Sequence, residues 1–206
     1  MSSKQSYNAL LSKKLIDEFQ KRNFEGYYCA TKADALRKTL ELIPLNALVS
    51  CGGSATLYEV GIIEALKTNG YDFMDPNDAE GAAEKDKIAH QALAADYFLM
   101  SANAITEKGE LVNADGYGNR VSALILGPKN VIIIAGLNKV EPNLETAILR
   151  VKKLAARLIL LKFYDYATLD EVDNAAEHAA GQLVITSMSA TKGRIKIILV
   201  GESLGF

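Results

Sequence analysis

Residues 47–66, ALVSCGGSATLYEVGIIEAL, read as an apolar strand ending on Gly52-Gly53, followed by a helix from Ser54 to Leu66. A strand that stops on glycines and hands over to a helix is the opening of a crossover unit, and such units build parallel sheets. Upstream, the pattern repeats. Leu10, Leu11, Leu15, Ile16 and Phe19 form the apolar stripe of an amphipathic helix over about 6–23 that packs on the main body. A short aromatic strand covers 27–30, and Thr31 with Asp34 resembles a capping box opening a helix through about Ile43.

Downstream, Asn69-Gly70 stops the first helix before a strand at 71–74; a helix over 78–94 then feeds a strand at 97–100. Residues 101–120 break this rhythm, because Gly109, Asp115-Gly116 and Gly118 punctuate short segments that can pair as a hairpin. Strand 131–135, a helix with Pro142 in its first turn running to about Leu158, and strand 194–200 complete the pattern. The expected fold is α/β in one domain over 1–206: a mainly parallel sheet flanked by helices, with a small β-rich insertion.

The composition agrees with an ordinary globular chain. Among 206 residues, 23 Lys+Arg against 25 Asp+Glu give a net charge of -2, which argues against nonspecific nucleic-acid or anionic-membrane binding. No apolar run approaches the roughly 20 residues that span a bilayer, and the lysine-broken start carries no secretion signal, so the expected location is the cytoplasm. Cys29 and Cys51 lack the paired spacing of a metal site and read as reduced core thiols.

Chemistry can live at the carboxyl ends of the strands, where open α/β sheets bind ligands. Gly52, Gly53 and Ser54 offer close backbone approach and a helix start that welcomes an anion; a plain turn with a serine cap is the simpler alternative. At about 100° per residue, Glu59 shares an arc with Ile62, Ile63 and Leu66, an apolar setting in which a carboxylate can serve as acid, base or nucleophile, or only accept structural hydrogen bonds. Asn103, Thr106, Asn113, Asp115, Asn119 and Arg120 crowd into one glycine-punctuated stretch. Arg120 can clamp a carboxylate or phosphate, or pair with Asp115. Lys139 can reach the same sheet edge, although a solvated lysine is the simpler expectation. Glu202 can line the cleft or bond backbone N–H groups, while His90 and His178 lack a second ligand at metal spacing.

The stretches CGGSATLYEVG (51–61), SANAITEKGELVNADGYGNRVSALILGPKNVIIIAGLNKV (101–140) and GRIKIILVGESLGF (193–206) resemble the LUD-domain family of lactate-utilization proteins, in its small single-domain form. The resemblance implies a fold like that of ribose-5-phosphate isomerase, glucosamine-phosphate deaminase and the CoA transferases. It implies a bacterial, cytoplasmic role in oxidising L-lactate to pyruvate beside two iron–sulfur partner proteins, with no cofactor and no metal in this chain. By likeness to those sugar-phosphate enzymes, Gly52, Gly53, Ser54, Asn113, Asp115, Gly116, Gly118, Asn119 and Arg120 would line an anion cleft. Many relatives carry a Thr-Pro-Cys segment before the last strand; residues 158–192 here contain neither cysteine nor proline, so any thiol or metal role of that segment is absent.

Two functions follow as expectations. The first is an accessory subunit that holds a small anionic carboxylate or phosphate. The second is a stand-alone isomerase- or CoA-transferase-like enzyme on a small phosphorylated or acyl substrate, with Glu59 as its reacting group. A homo-oligomer is compatible with either.

Overall fold

The computed structural model describes residues 2–206. In chain order the elements are α1 (Ser3–Lys21), β1 (Glu25–Cys29), α2 (Lys32–Leu42), β2 (Leu48–Cys51), α3 (Ala55–Val60), α4 (Ile62–Thr68), β3 (Asp72–Met74) and α5 (Ala82–Gln91). Then come β4 (Tyr97–Met100), β5 (Ala104–Thr106), β6 (Leu111–Asp115), α6 (Asn119–Ile125), β7 (Asn130–Gly136) and β8 (Val140–Glu141). The chain continues through α7 (Leu144–Arg150), a π-helical stretch (Val151–Ala155), α8 (Ala156–Phe163), α9 (Leu169–Ala179), β9 (Gln182–Thr186) and β10 (Ile195–Val200).

A six-stranded sheet runs in the order β1-β10-β7-β4-β2-β3, with every pairing parallel. Its two central strands are apolar on both faces, as burial under helices on each side demands. Along β7, Val131, Ile133 and Ala135 enter one core while Ile132 and Ile134 enter the other. Strand β10 divides the same way, with Ile197 opposite Ile133 and Ile198 opposite Ile134. The first face is covered by Leu15 and Phe19 of α1 and by Ala123 and Leu124 of α6. The second is covered by Ala35 of α2 with Leu57, Ile62 and Leu66 of α3 and α4.

The expected β-rich insertion is present and larger than a hairpin. Strands β5 and β6 pair antiparallel around Gly109, and β8 and β9 extend them into a four-stranded sheet, β8-β5-β6-β9. This smaller sheet builds a third core with the long helical stretch and α9, where Val112, Ala147, Val151 and Ala176 meet.

Three local expectations need correction. The helix expected over 54–66 is two helices, because Gly61 adopts the left-handed conformation at φ 80° and resets the helical phase. The helix expected to contain Pro142 starts two residues later, capped by Asn143 in a capping box with Thr146. It also passes beyond Leu158 to Phe163 through the π-helical stretch. In α1, Leu10 faces solvent, while Leu15 and Phe19 carry the packing.

Candidate cleft at the carboxyl ends of the strands

Parallel strands all end on one side of the sheet, so the segments following β2, β4 and β7 gather there, and the loop after β6 of the smaller sheet joins them. They enclose one side of a cleft of about 1080 Å³. Val151, Ala155 and Ala156 also line it, so the π-helical stretch contributes to the cleft wall; π-bulges are frequent at functional sites. Tyr58, whose ring lies 6.0 Å from Lys162 Nζ, and Tyr117, whose hydroxyl bonds Asp86, border the cleft.

The glycine turn and the arginine loop converge. Gly52 is buried beneath Arg120, and Gly53 and Ser54 line the cleft, with Ser54 Oγ accepting from Leu57 N at 3.4 Å as the helix cap. Arg120, however, is not a free clamp. Asp115 accepts from Arg120 Nε at 2.6 Å and, through its other oxygen, from the backbone N–H groups of Arg120 (2.8 Å) and Val121 (3.0 Å). The guanidinium also donates to the Ala114 carbonyl. One buried carboxylate thus caps α6 and neutralises the arginine, the second of the two alternatives the sequence offered.

Asn103, Asp115, Gly116, Asn119 and Arg120 line the cleft, whereas Gly52, Asn113 and Gly118 do not. Asn113 is fully buried and accepts from Asn103 N at 3.3 Å, so it shapes the loop from behind. Gly118 is needed for its φ of 101° and its closeness to Gln182. Thr106 bonds Glu110 and is structural.

Glu59 lies elsewhere than its expected apolar arc. Because Gly61 breaks the helix, Glu59 is exposed, and its carboxylate accepts from Gly205 N at 2.9 Å, pinning the 204–206 segment. Glu202 likewise accepts from a backbone N–H, that of Lys32, at 3.4 Å. His90 and His178 each set a ring nitrogen against the carbonyl four residues earlier on their own helices.

Lys139 overturns the solvated-lysine expectation. A 3₁₀ turn, Leu137–Lys139, folds it back from the end of β7 into the floor of the cleft, where it is 3% exposed. Its Nζ donates to Thr56 Oγ1 and to Ser101 Oγ, each at 3.0 Å, and among the described residues no carboxylate pairs with it. Burial pulls its pKa down to about 7, helped by the charges of Arg150 and Arg120 and opposed by Glu59. Arg150 is itself buried, with Nη1 donating to the Asn103 carbonyl at 2.6 Å. Thr56, Ser101 and Arg150 carried no sequence signal; they are ordinary residue types whose meaning comes from the lysine they surround or repel.

The thiols of Cys29 and Cys51 are free and buried, and burial raises both pKa values. Among the described residues no cluster of three or more His, Cys, Asp or Glu is arranged to hold a metal, and no helix is long and apolar enough to cross a membrane.

The comparison with curated proteins finds no match. A DUF162 family protein from Deinococcus radiodurans, known from a crystal structure, aligns over 94% of this chain and 98% of its own with a TM-score of 0.56 and 13% identity, a likeness of fold. The LUD domain model matches residues 12–200, which takes in the whole parallel sheet and the cleft segments that follow β2, β4, β6 and β7. This chain belongs to the LUD-domain family.

Proposed function

We propose that this chain is an accessory subunit in the utilization of L-lactate or a related 2-hydroxy acid, and that it holds a small carboxylate in the cleft between residues 52–54 and 113–120. The observation that carries this reading is Lys139: a buried cation whose only side-chain partners among the described residues are the hydroxyls of Thr56 and Ser101. Burying an unpaired charge is costly, and a carboxylate ligand supplies the missing countercharge. Arg120, already matched by Asp115, contributes shape and field to the site.

The accessory role beside iron–sulfur partners rests on family membership, since lactate utilization is what the family is named for. The redox clusters would then reside in the partners.

A second reading draws on the size of the cleft. Val151, Ile159, Leu160 and Phe163 line much of it, and about 1080 Å³ exceeds what one lactate fills. An acyl or phosphorylated substrate would use that space, in a stand-alone enzyme. Lys139 then replaces Glu59 as the better-placed acid or base, because Glu59 is exposed.

A thermal-shift series on the whole chain with lactate, pyruvate and ribose 5-phosphate separates the readings. Stabilisation by the two carboxylates, lost in Lys139→Met and kept in Glu59→Gln, is expected. Stabilisation by the sugar phosphate alone would refute the carboxylate reading. Copurification from the native cell tests the accessory role, which predicts iron–sulfur proteins in the eluate.

A further inference from the structure

An amine on the floor of a cleft is a nucleophile whenever it is neutral. Surface lysines are seldom so, because water and carboxylate partners keep them protonated. Lys139 has neither: it is almost fully buried, and its hydrogen bonds run to two hydroxyls. Hydroxyls can donate as well as accept, so Thr56 and Ser101 can hold the nitrogen in either protonation state. Arg120 and Arg150 repel the ammonium form, and with burial they bring its pKa to about 7. These features combine charge repulsion, dry surroundings and access to a ligand-sized space, which is how lysines are activated toward carbonyl groups.

We propose that Lys139 captures the carbonyl carbon of a small 2-oxo acid as an imine within the cleft. The proposal rests on the small-carboxylate reading: the acid's carboxylate first pairs with the ammonium form of Lys139, and the nitrogen attacks once it has shed that proton to solvent. In the first step the Nζ lone pair bonds to the carbonyl carbon, and the C=O π pair moves to oxygen. That oxygen takes up a proton which the nitrogen sheds through the Thr56 or Ser101 hydroxyl. The carbinolamine then loses its hydroxyl together with the second nitrogen proton, as one water molecule. Amine and carbonyl become imine and water, with no change of oxidation state and no co-reactant.

The test is reductive trapping on the whole chain. The protein is incubated with pyruvate or 2-oxobutyrate and cyanoborohydride, and the modified residue is mapped by mass spectrometry. The expected result is one adduct at Lys139, formed roughly tenfold or more faster than at exposed Lys13 or Lys32. Excess lactate, which has no ketone carbonyl, should protect the site. Mapping the unaltered chain makes the result independent of whether a variant folds; Lys139→Arg should abolish the adduct. If lactate stabilises the protein yet neither oxo acid labels Lys139, the imine proposal is overturned while the carboxylate site stands. If Lys139 is labelled and lactate has no effect, the amine is a carbonyl nucleophile and the lactate reading fails. Labelling spread evenly over surface lysines also overturns the proposal.

Discussion

Gly52 and Arg120 pack directly against each other at the edge of the cleft: a Cβ built on Gly52 would stand 2.8 Å from Arg120 Cδ and closer still to Cγ. The glycine is therefore required by close packing, since its backbone is not in the left-handed region. It lets the arginine stem lie flat on the end of β2 while the guanidinium turns toward Asp115.

Gly52→Ala should push Arg120 off this seat. Overpacking of this kind costs about 1–3 kcal/mol, partly relieved here because the arginine stem is flexible. Urea unfolding should show the loss, and lactate affinity should fall alongside, because Arg120 borders the same cleft.

Asp115→Asn removes a charge that is 5% exposed and serves three N–H donors. It leaves Arg120 without its counter-ion, a change that typically costs about 3–5 kcal/mol for a buried pair. The structure predicts a loss in that range, less the share returned by water at the partly exposed arginine. Chemical denaturation at neutral pH measures it; a loss below about 0.5 kcal/mol would show that the pair is solvated.

Lys139 should tilt the pH dependence of stability. Its pKa falls from an ordinary 10.5 to about 7 on folding, so between those values the unfolded chain binds the extra proton. The penalty for burying the charge is fully present below about pH 7, declines as pH rises, and vanishes above about 10.5. Lys139→Met should thus be more stable than the parent at pH 6, with the gap closing as pH rises. At ~1.4 kcal/mol per pKa unit the gap is on the order of a few kcal/mol, less any packing lost. Paired melts from pH 6 to about pH 10 read the difference directly.

The alternation of strand and helix was legible because each parallel strand is buried on both faces and each helix on one, patterns that survive in the bare sequence. Runs such as Val131–Ala135 announce themselves. The exceptions are informative. Gly61 looks like any helix-tolerated glycine, yet its left-handed φ shifts Glu59 out of the arc shared by Ile62, Ile63 and Leu66. Strand β9 and helix α9 lie in a stretch with no glycine or proline punctuation until Gly181, and β9 is only half buried, so its pattern is faint. In the cleft, the glycines and Arg120 were visible as local motifs. Lys139 was legible as a lysine at that sheet edge, but its burial was not, because that depends on Thr56, Ser101 and the 204–206 segment, brought together only by the fold.

The central claim is that a small carboxylate settles on the Lys139 ammonium. Calorimetric titration of lactate into the whole chain, at pH values on either side of 7 and in two buffers of different ionisation enthalpy, tests it most directly. The account predicts proton uptake on binding and an affinity that falls up to about tenfold per pH unit above about 7, with both effects absent in Lys139→Met. Binding of equal strength across that range, unchanged by the substitution, would contradict it.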